Sequence, residues 1–99
     1  MNDGYLYLTK GQGRTLLPGQ MSEYHFWLLA EISPVHSEKV INALRDFLVQ
    51  GYTRREACER HDVSQGYFSG ALGRFQRVSM TVSRLAPFYI SEAGASCMK

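Results

Sequence analysis

The sequence predicts an all-α protein, a small single-domain helical bundle containing a helix-turn-helix, and three observations carry that prediction. Apolar residues recur at helical spacing in Val40, Ile41, Leu44, Phe47 and Leu48. Helix-start residues stand at Ser22, Ser37, Thr53 and Ser64. Strand-like alternation is confined to a weak patch at Tyr5-Leu6-Tyr7-Leu8. The chain has 99 residues, of which 44% are hydrophobic and 20% charged, an ordinary globular composition with room for one core.

Along the chain, residues 1–15 carry Gly11 and Gly13 and read as a flexible N-terminal arm, and residues 16–90 read as the helical domain. Ser22 caps a first helix through EYHFWLLAEI, whose Tyr24, Phe26, Trp27, Leu28 and Leu29 occupy more than one face and call for cover on most sides. Pro34 ends it, Ser37 caps the next, and Gly51 stops that second helix. Thr53-Arg54-Arg55-Glu56 is a capping box that starts a short helix to about His61. Asp62 suits a left-handed turn, Val63 is the apolar residue ahead of a cap, and Ser64 opens a last helix with no breaker before Pro87. Residues 91–99 read as a flexible tail.

The net charge of +2 conceals an asymmetry. Residues 1–50 balance at −1, whereas residues 51–90 hold six arginines against Glu56, Glu59 and Asp62, and no acid occurs from Val63 to Ser91. An anionic partner for the second half explains that distribution; a solvated basic face is the plainer alternative. The longest apolar run, Phe26 to Ala30, is too short for a bilayer, and the N-terminus lacks the order of a secretion signal. A cytoplasmic location with Cys58 and Cys97 as free thiols is expected.

The segment around residues 53–75 has the layout of a helix-turn-helix, with Cys58 as the small residue of the first helix, Asp62 in the turn, and Phe68 and Leu72 on the inward side of the second. At about 100° per residue, Gly66, Gly70, Gly73, Arg77 and Arg84 share one face of that second helix, opposite Phe68, Leu72 and Phe75. Each interior glycine costs a helix roughly 1 kcal/mol relative to alanine. A face without side chains lets another surface come close to the backbone, and arginines at its end suit phosphates or a narrow minor groove. The same glycines would also serve tight helix packing between proteins. Against that stands the lack of acids on this helix to pair with its arginines. Arg54 and Arg55 sit in a first helical turn against the dipole, which fits phosphate neutralisation or, for either one, plain solvation. Tyr67 suits a sugar or phosphate contact or the rim of the core.

The elements LLPGQMSEYHFWLL, VHSEKVINALRDFLVQG, RREACE, GYFSGALGR and RLAPFY, spread over residues 16–89, resemble the PapB-type regulators of fimbrial adhesin operons in enteric bacteria. That resemblance implies an all-helical, nucleoid-associated transcription regulator that binds A·T-rich double-stranded operator DNA and oligomerises along it as a homo-oligomer. It puts Arg54, Cys58, Gly66, Ser69, Gly73 and Arg74 at motif positions, while Gly70 lies outside the motif. With Arg55, Ser64, Gln65, Tyr67, Arg77 and Arg84 they form the expected DNA-binding set. Ser64, Gln65 and Ser69 offer few groups for base edges, so backbone and shape contacts are expected to supply most of the affinity.

Other chemistry finds little footing. Cys58 and His61 form C-x-x-H without a second ligand pair, so no metal is expected. His25 and His36 have no nucleophile or paired carboxylate in register, so neither catalysis, a cofactor nor a small-molecule substrate is expected. The usual aromatic platform for single-stranded RNA is missing. The alternative reading is an assembly module that binds only protein through the aromatic first helix and the glycine face, with the region of Trp27 as a subunit interface.

Overall fold

A computed structural model of the chain describes residues 16–96, with side chains to residue 90. The expected N-terminal arm at 1–15 and Cys97 lie outside the described residues. The helices are α1 (Glu23–Ile32), α2 (Glu38–Arg45), α3 (Arg54–His61) and α4 (Gln65–Ser96), and α2 runs on into a wider π turn at Asp46–Gln50. Contacts divide the chain into two compact units. One ends at Val78 and holds α1, α2, α3 and the first part of α4; the other holds α4 from Ser79 onward.

Each helix begins where the local chemistry dictates. Ser22 accepts from the His25 amide, Ser37 from Val40 and Ser64 from Tyr67. At Thr53 the capping box closes in both directions, with Glu56 N–H to Thr53 Oγ1 at 3.0 Å and Thr53 N–H to Glu56 Oε1 at 2.9 Å. Asp62 takes the left-handed conformation, φ 56° and ψ 53°, and its amide together with that of Val63 closes on the Cys58 carbonyl. That geometry turns the chain from α3 into α4 within three residues.

The carbonyl end of α2 is satisfied by chain from either side. Gly51 N–H and Tyr52 N–H both reach the Asp46 carbonyl, Gly19 N–H reaches Phe47 O at 3.0 Å, and Met21 N–H reaches Leu48 O at 3.1 Å. These bonds take up groups that a helix end otherwise leaves unpaired. They also press Gly19 onto Gly51: a Cβ at residue 19 would stand 3.2 Å from Gly51 Cα, and Gly19 has φ +68°.

The core of the first unit is aromatic. Phe26 of α1 stacks on Phe75 of α4 at 5.3 Å, and Phe47 meets Phe68 edge-on at 5.6 Å. Val40, Leu44 and Leu48 fill the α2 side. Glu23 ties α1 to α2 by taking both a 2.6 Å and a 3.0 Å bond from Arg45, and Trp27 Nε1 donates to it as well. The Arg45 bonds, then the Trp27 bond, hold the Glu23 carboxyl below its ordinary range.

One carboxylate is nearly buried. The Asp46 side chain, 6% exposed, receives Arg60 Nε at 2.8 Å and His61 Nε2 at 2.7 Å. Arg60 also lies over the Tyr52 ring at 4.4 Å. Burial pushes the Asp46 carboxyl upward, but the hydrogen bonds from Arg60 and His61 outweigh it and leave the group below its ordinary value.

Two expectations change. The expected cover on most sides of α1 does not materialise, since Phe26 and Leu29 are buried but Tyr24, Trp27 and Leu28 are exposed, Tyr24 by 75%. The last helix does not stop ahead of Pro87. It runs through to Ser96, so residues 91–96 of the expected tail are helical. Proline removes one hydrogen bond and crowds the carbonyl four residues back, a penalty of about 3 kcal/mol. Pro87 is the only glycine or proline between Arg74 and Ala93, so that penalty falls once along this stretch.

Two substitutions check this account. Asp46→Ala should lower stability at neutral pH by about 2 kcal/mol, the usual loss for hydrogen bonds to a charged group. Because the folded carboxyl is depressed, that contribution is complete above the unfolded value near 4 and disappears as pH falls through the folded one. Urea melts of the two proteins should therefore converge below about pH 4. Gly19→Ala combines a positive φ with a tight backbone contact and should cost about 1–2 kcal/mol by the same measurement.

Candidate nucleic-acid interface

The helix-turn-helix spans α3, the Asp62 turn and the first part of α4, and its inner side is the predicted one. Phe68, Ala71, Leu72 and Phe75 are buried, as are Ala57 and Cys58 of α3. Its outer side carries most of the sequence-predicted residues. Ser64, Gln65, Gly66, Tyr67 and Ser69 are exposed and Gly73 and Arg74 half-buried on α4; Arg54 and Arg55 are exposed on α3.

The glycine face is bare because none of the described residues occupies it. A Cβ added at Gly66 or Gly73 would meet no atom within 4 Å. At Gly70 it would meet only Arg74 Nη1, at 3.8 Å, so the Arg74 side chain folds back along its own helix over that glycine. Neither close packing nor a left-handed conformation requires glycine at these three positions.

The basic residues differ in their settings. Arg54 Nη1 donates to Ser69 Oγ at 3.3 Å, bridging α3 and α4, and its Cζ lies 5.8 Å from the centroid of the Phe47 ring. Arg55 pairs with Glu59 one turn on at 3.6 Å, with both side chains more than 70% exposed, a contact worth little in water. Arg77 is exposed and, in the second unit, Arg84 is half-buried. Both are engaged within the chain, so the sequence argument from arginines lacking partners does not carry over.

Cys58 requires a correction. At 3% exposure it faces the core and has no surface to offer DNA. Its small side chain lies in the core, and burial raises its thiol pKa despite the opposing Arg54 charge. The C-x-x-H pair is likewise divided, because His61 Nε2 is committed to Asp46. Among the described residues no group of three metal-ligating side chains occurs, and no helix is long and apolar enough to cross a membrane.

Sequence reasoning missed the Asp46, Arg60 and His61 cluster beneath this surface. The signal available was an acid set between Leu44 and Phe47 at the end of an amphipathic helix, with two cationic or ionisable side chains at the end of the next.

Comparisons with known proteins agree in direction. The PapB family model, described as "Adhesin biosynthesis transcription regulatory protein", matches residues 1–89. The chain is 70% identical over 94 residues to the AFA-III adhesin operon regulatory protein of Escherichia coli, covering 95% of this chain and 93% of that one. It is 47% identical over 92 residues to the major pilus subunit operon regulatory protein PapB of the same organism, covering 93% and 88%. The crystal structure of E. coli FocB aligns with a TM-score of 0.74 at 43% identity, covering 90% of this chain and 99% of that one.

The burial of Cys58 is open to a chemical check. With Cys97 replaced by serine, a thiol reagent should modify the folded protein many times more slowly than the urea-unfolded one.

Proposed function

The chain belongs to the PapB family of adhesin biosynthesis transcription regulatory proteins, and on that premise we propose that it is a DNA-binding regulator of fimbrial or adhesin gene expression. It works in the bacterial cytoplasm, associated with the nucleoid, and binds A·T-rich operator DNA as a homo-oligomer through the outer side of the helix-turn-helix.

The observation that carries this reading is the open space over Gly66 and Gly73. Alanine at Gly73 would stabilise α4 by up to about 1 kcal/mol with no clash among the described residues, which favours an external partner as the beneficiary of glycine there. A smooth face lets a nucleic-acid backbone approach closely, and Arg54, Arg55, Arg74 and Arg77 around it supply the phosphate neutralisation that dominates such affinity. Direct base reading has little to work with. The Ser64 oxygen accepts from Tyr67 and the Ser69 oxygen from Arg54, which leaves Gln65 as the uncommitted polar side chain of the three proposed for it. Preference for A·T-rich DNA then comes from groove width and deformability. The exposed apolar side of α1, with Tyr24, Leu28 and Ile32, supports the self-association half of the proposal and is also what an assembly module would use.

Two variants separate these readings. Gly73→Ala should raise the melting temperature by a few degrees while weakening binding to an A·T-rich duplex. Replacing Arg74 and Arg77 together by alanine should reduce the slope of log affinity against log salt by about 1–2. If both variants bind DNA as the parent does while losing self-association in sedimentation, the assembly-module reading replaces this one.

A further inference from the structure

We propose that Ser69 is a positioning residue for Arg54, and that Ser69 and Phe47 hold the Arg54 guanidinium as a preset phosphate contact at the junction of α3 and α4. The inference rests on the DNA-binding reading above. It assigns Ser69 a task other than the base-edge reading that its place on the second helix suggests.

Two contacts from different elements converge on the guanidinium. Ser69 Oγ on α4 accepts from Nη1 at 3.3 Å, and the Phe47 ring in the π turn lies 5.8 Å from Cζ. The seat is firm because Phe47 is itself buried and set edge-on against Phe68. A guanidinium carries five N–H donors in a rigid fork. One donor goes to Ser69, and the remainder suffice for a bidentate phosphate contact.

Position explains why holding is needed. Arg54 is the first residue of α3, where the helix dipole disfavours a cation and where free backbone amides favour an anion. An unheld arginine would swing into water and would have to be immobilised again on binding. Fixing it beforehand removes that ordering penalty. Neighbouring Arg55 provides the contrast: its partner is Glu59 on its own helix, and both side chains are strongly exposed.

The test is a double-substitution cycle on the full chain, read by fluorescence anisotropy with a labelled A·T-rich duplex across a salt series. Arg54→Ala should weaken binding about tenfold and lower the salt slope by about one, as expected for a lost phosphate contact. Ser69→Ala should weaken binding about threefold with the slope unchanged, since the charge remains. The double variant should bind no more weakly than Arg54→Ala alone, because the effect of Ser69 passes through Arg54. Ser69→Thr, which keeps the hydroxyl, should restore parental binding. Fold-changes that multiply in the double variant would show Ser69 acting independently of Arg54 and overturn the proposal. An Arg54→Ala protein with parental affinity and slope would instead overturn the assignment of this face to DNA, and the proposal with it.

Discussion

Asp46 sits where the second helix ends, and three segments are fixed through that residue. Its carbonyl takes the amides of Gly51 and Tyr52, which sets the loop, while its carboxylate takes Arg60 and His61, which sets the last turn of α3. The left-handed turn at Asp62 follows immediately, so the placement of α3 determines where α4 begins. A carboxylate this far from water is tolerable only because both partners reach it, and the same requirement makes the arrangement specific. Any shift of α3 along α2 would strand a charge.

With its start fixed there, α4 can divide its labour between two sides. Phe68, Ala71, Leu72 and Phe75 bury against the rest of the first unit and supply the tertiary stabilisation that helices in proteins mostly depend on. The opposite side is then released from contributing. Three glycines within eight residues would fray an isolated helix, but here packing on the back holds the front in shape. This is why a surface so poor in side chains can still be rigid.

The parts of this structure legible in the sequence are those decided within a few residues. Caps at Ser22, Ser37, Thr53 and Ser64, the turn at Asp62, the stop at Gly51 and the inward phenylalanines of α4 all follow from local rules and periodicity. What escaped depends on partners far along the chain. Nothing near Gly19 announces that it lies on Gly51, and nothing near Leu16 announces that its amide meets Gln76 Oε1 at 3.0 Å. The exposure of Tyr24 and Ile32 depends on which faces the other helices reach, a tertiary matter. Cys58 shows a different failure: a motif position records that a residue type is needed, without distinguishing a surface contact from a buried core residue. Pro87 shows a third, since a breaker is a penalty rather than a prohibition and a long uninterrupted helix can absorb it.

The polar inventory of the outer surface sets a limit on how a duplex lying there could be discriminated. A hydroxyl that already accepts a hydrogen bond within the protein retains only its own rotatable proton and a second lone pair. Ser64 and Ser69 are both in that state, and bidentate pairs of the sort that separate one base pair from another need side chains with two well-placed groups, such as asparagine, glutamine or arginine. Gln65 is the one amide on the exposed start of α4, and Arg54 is drawn toward the α3 junction instead. On the proposed DNA-binding reading, a surface so equipped would distinguish sequences by how readily each can take the shape that brings its phosphates to fixed cations, and the glycines would set how near that backbone can come.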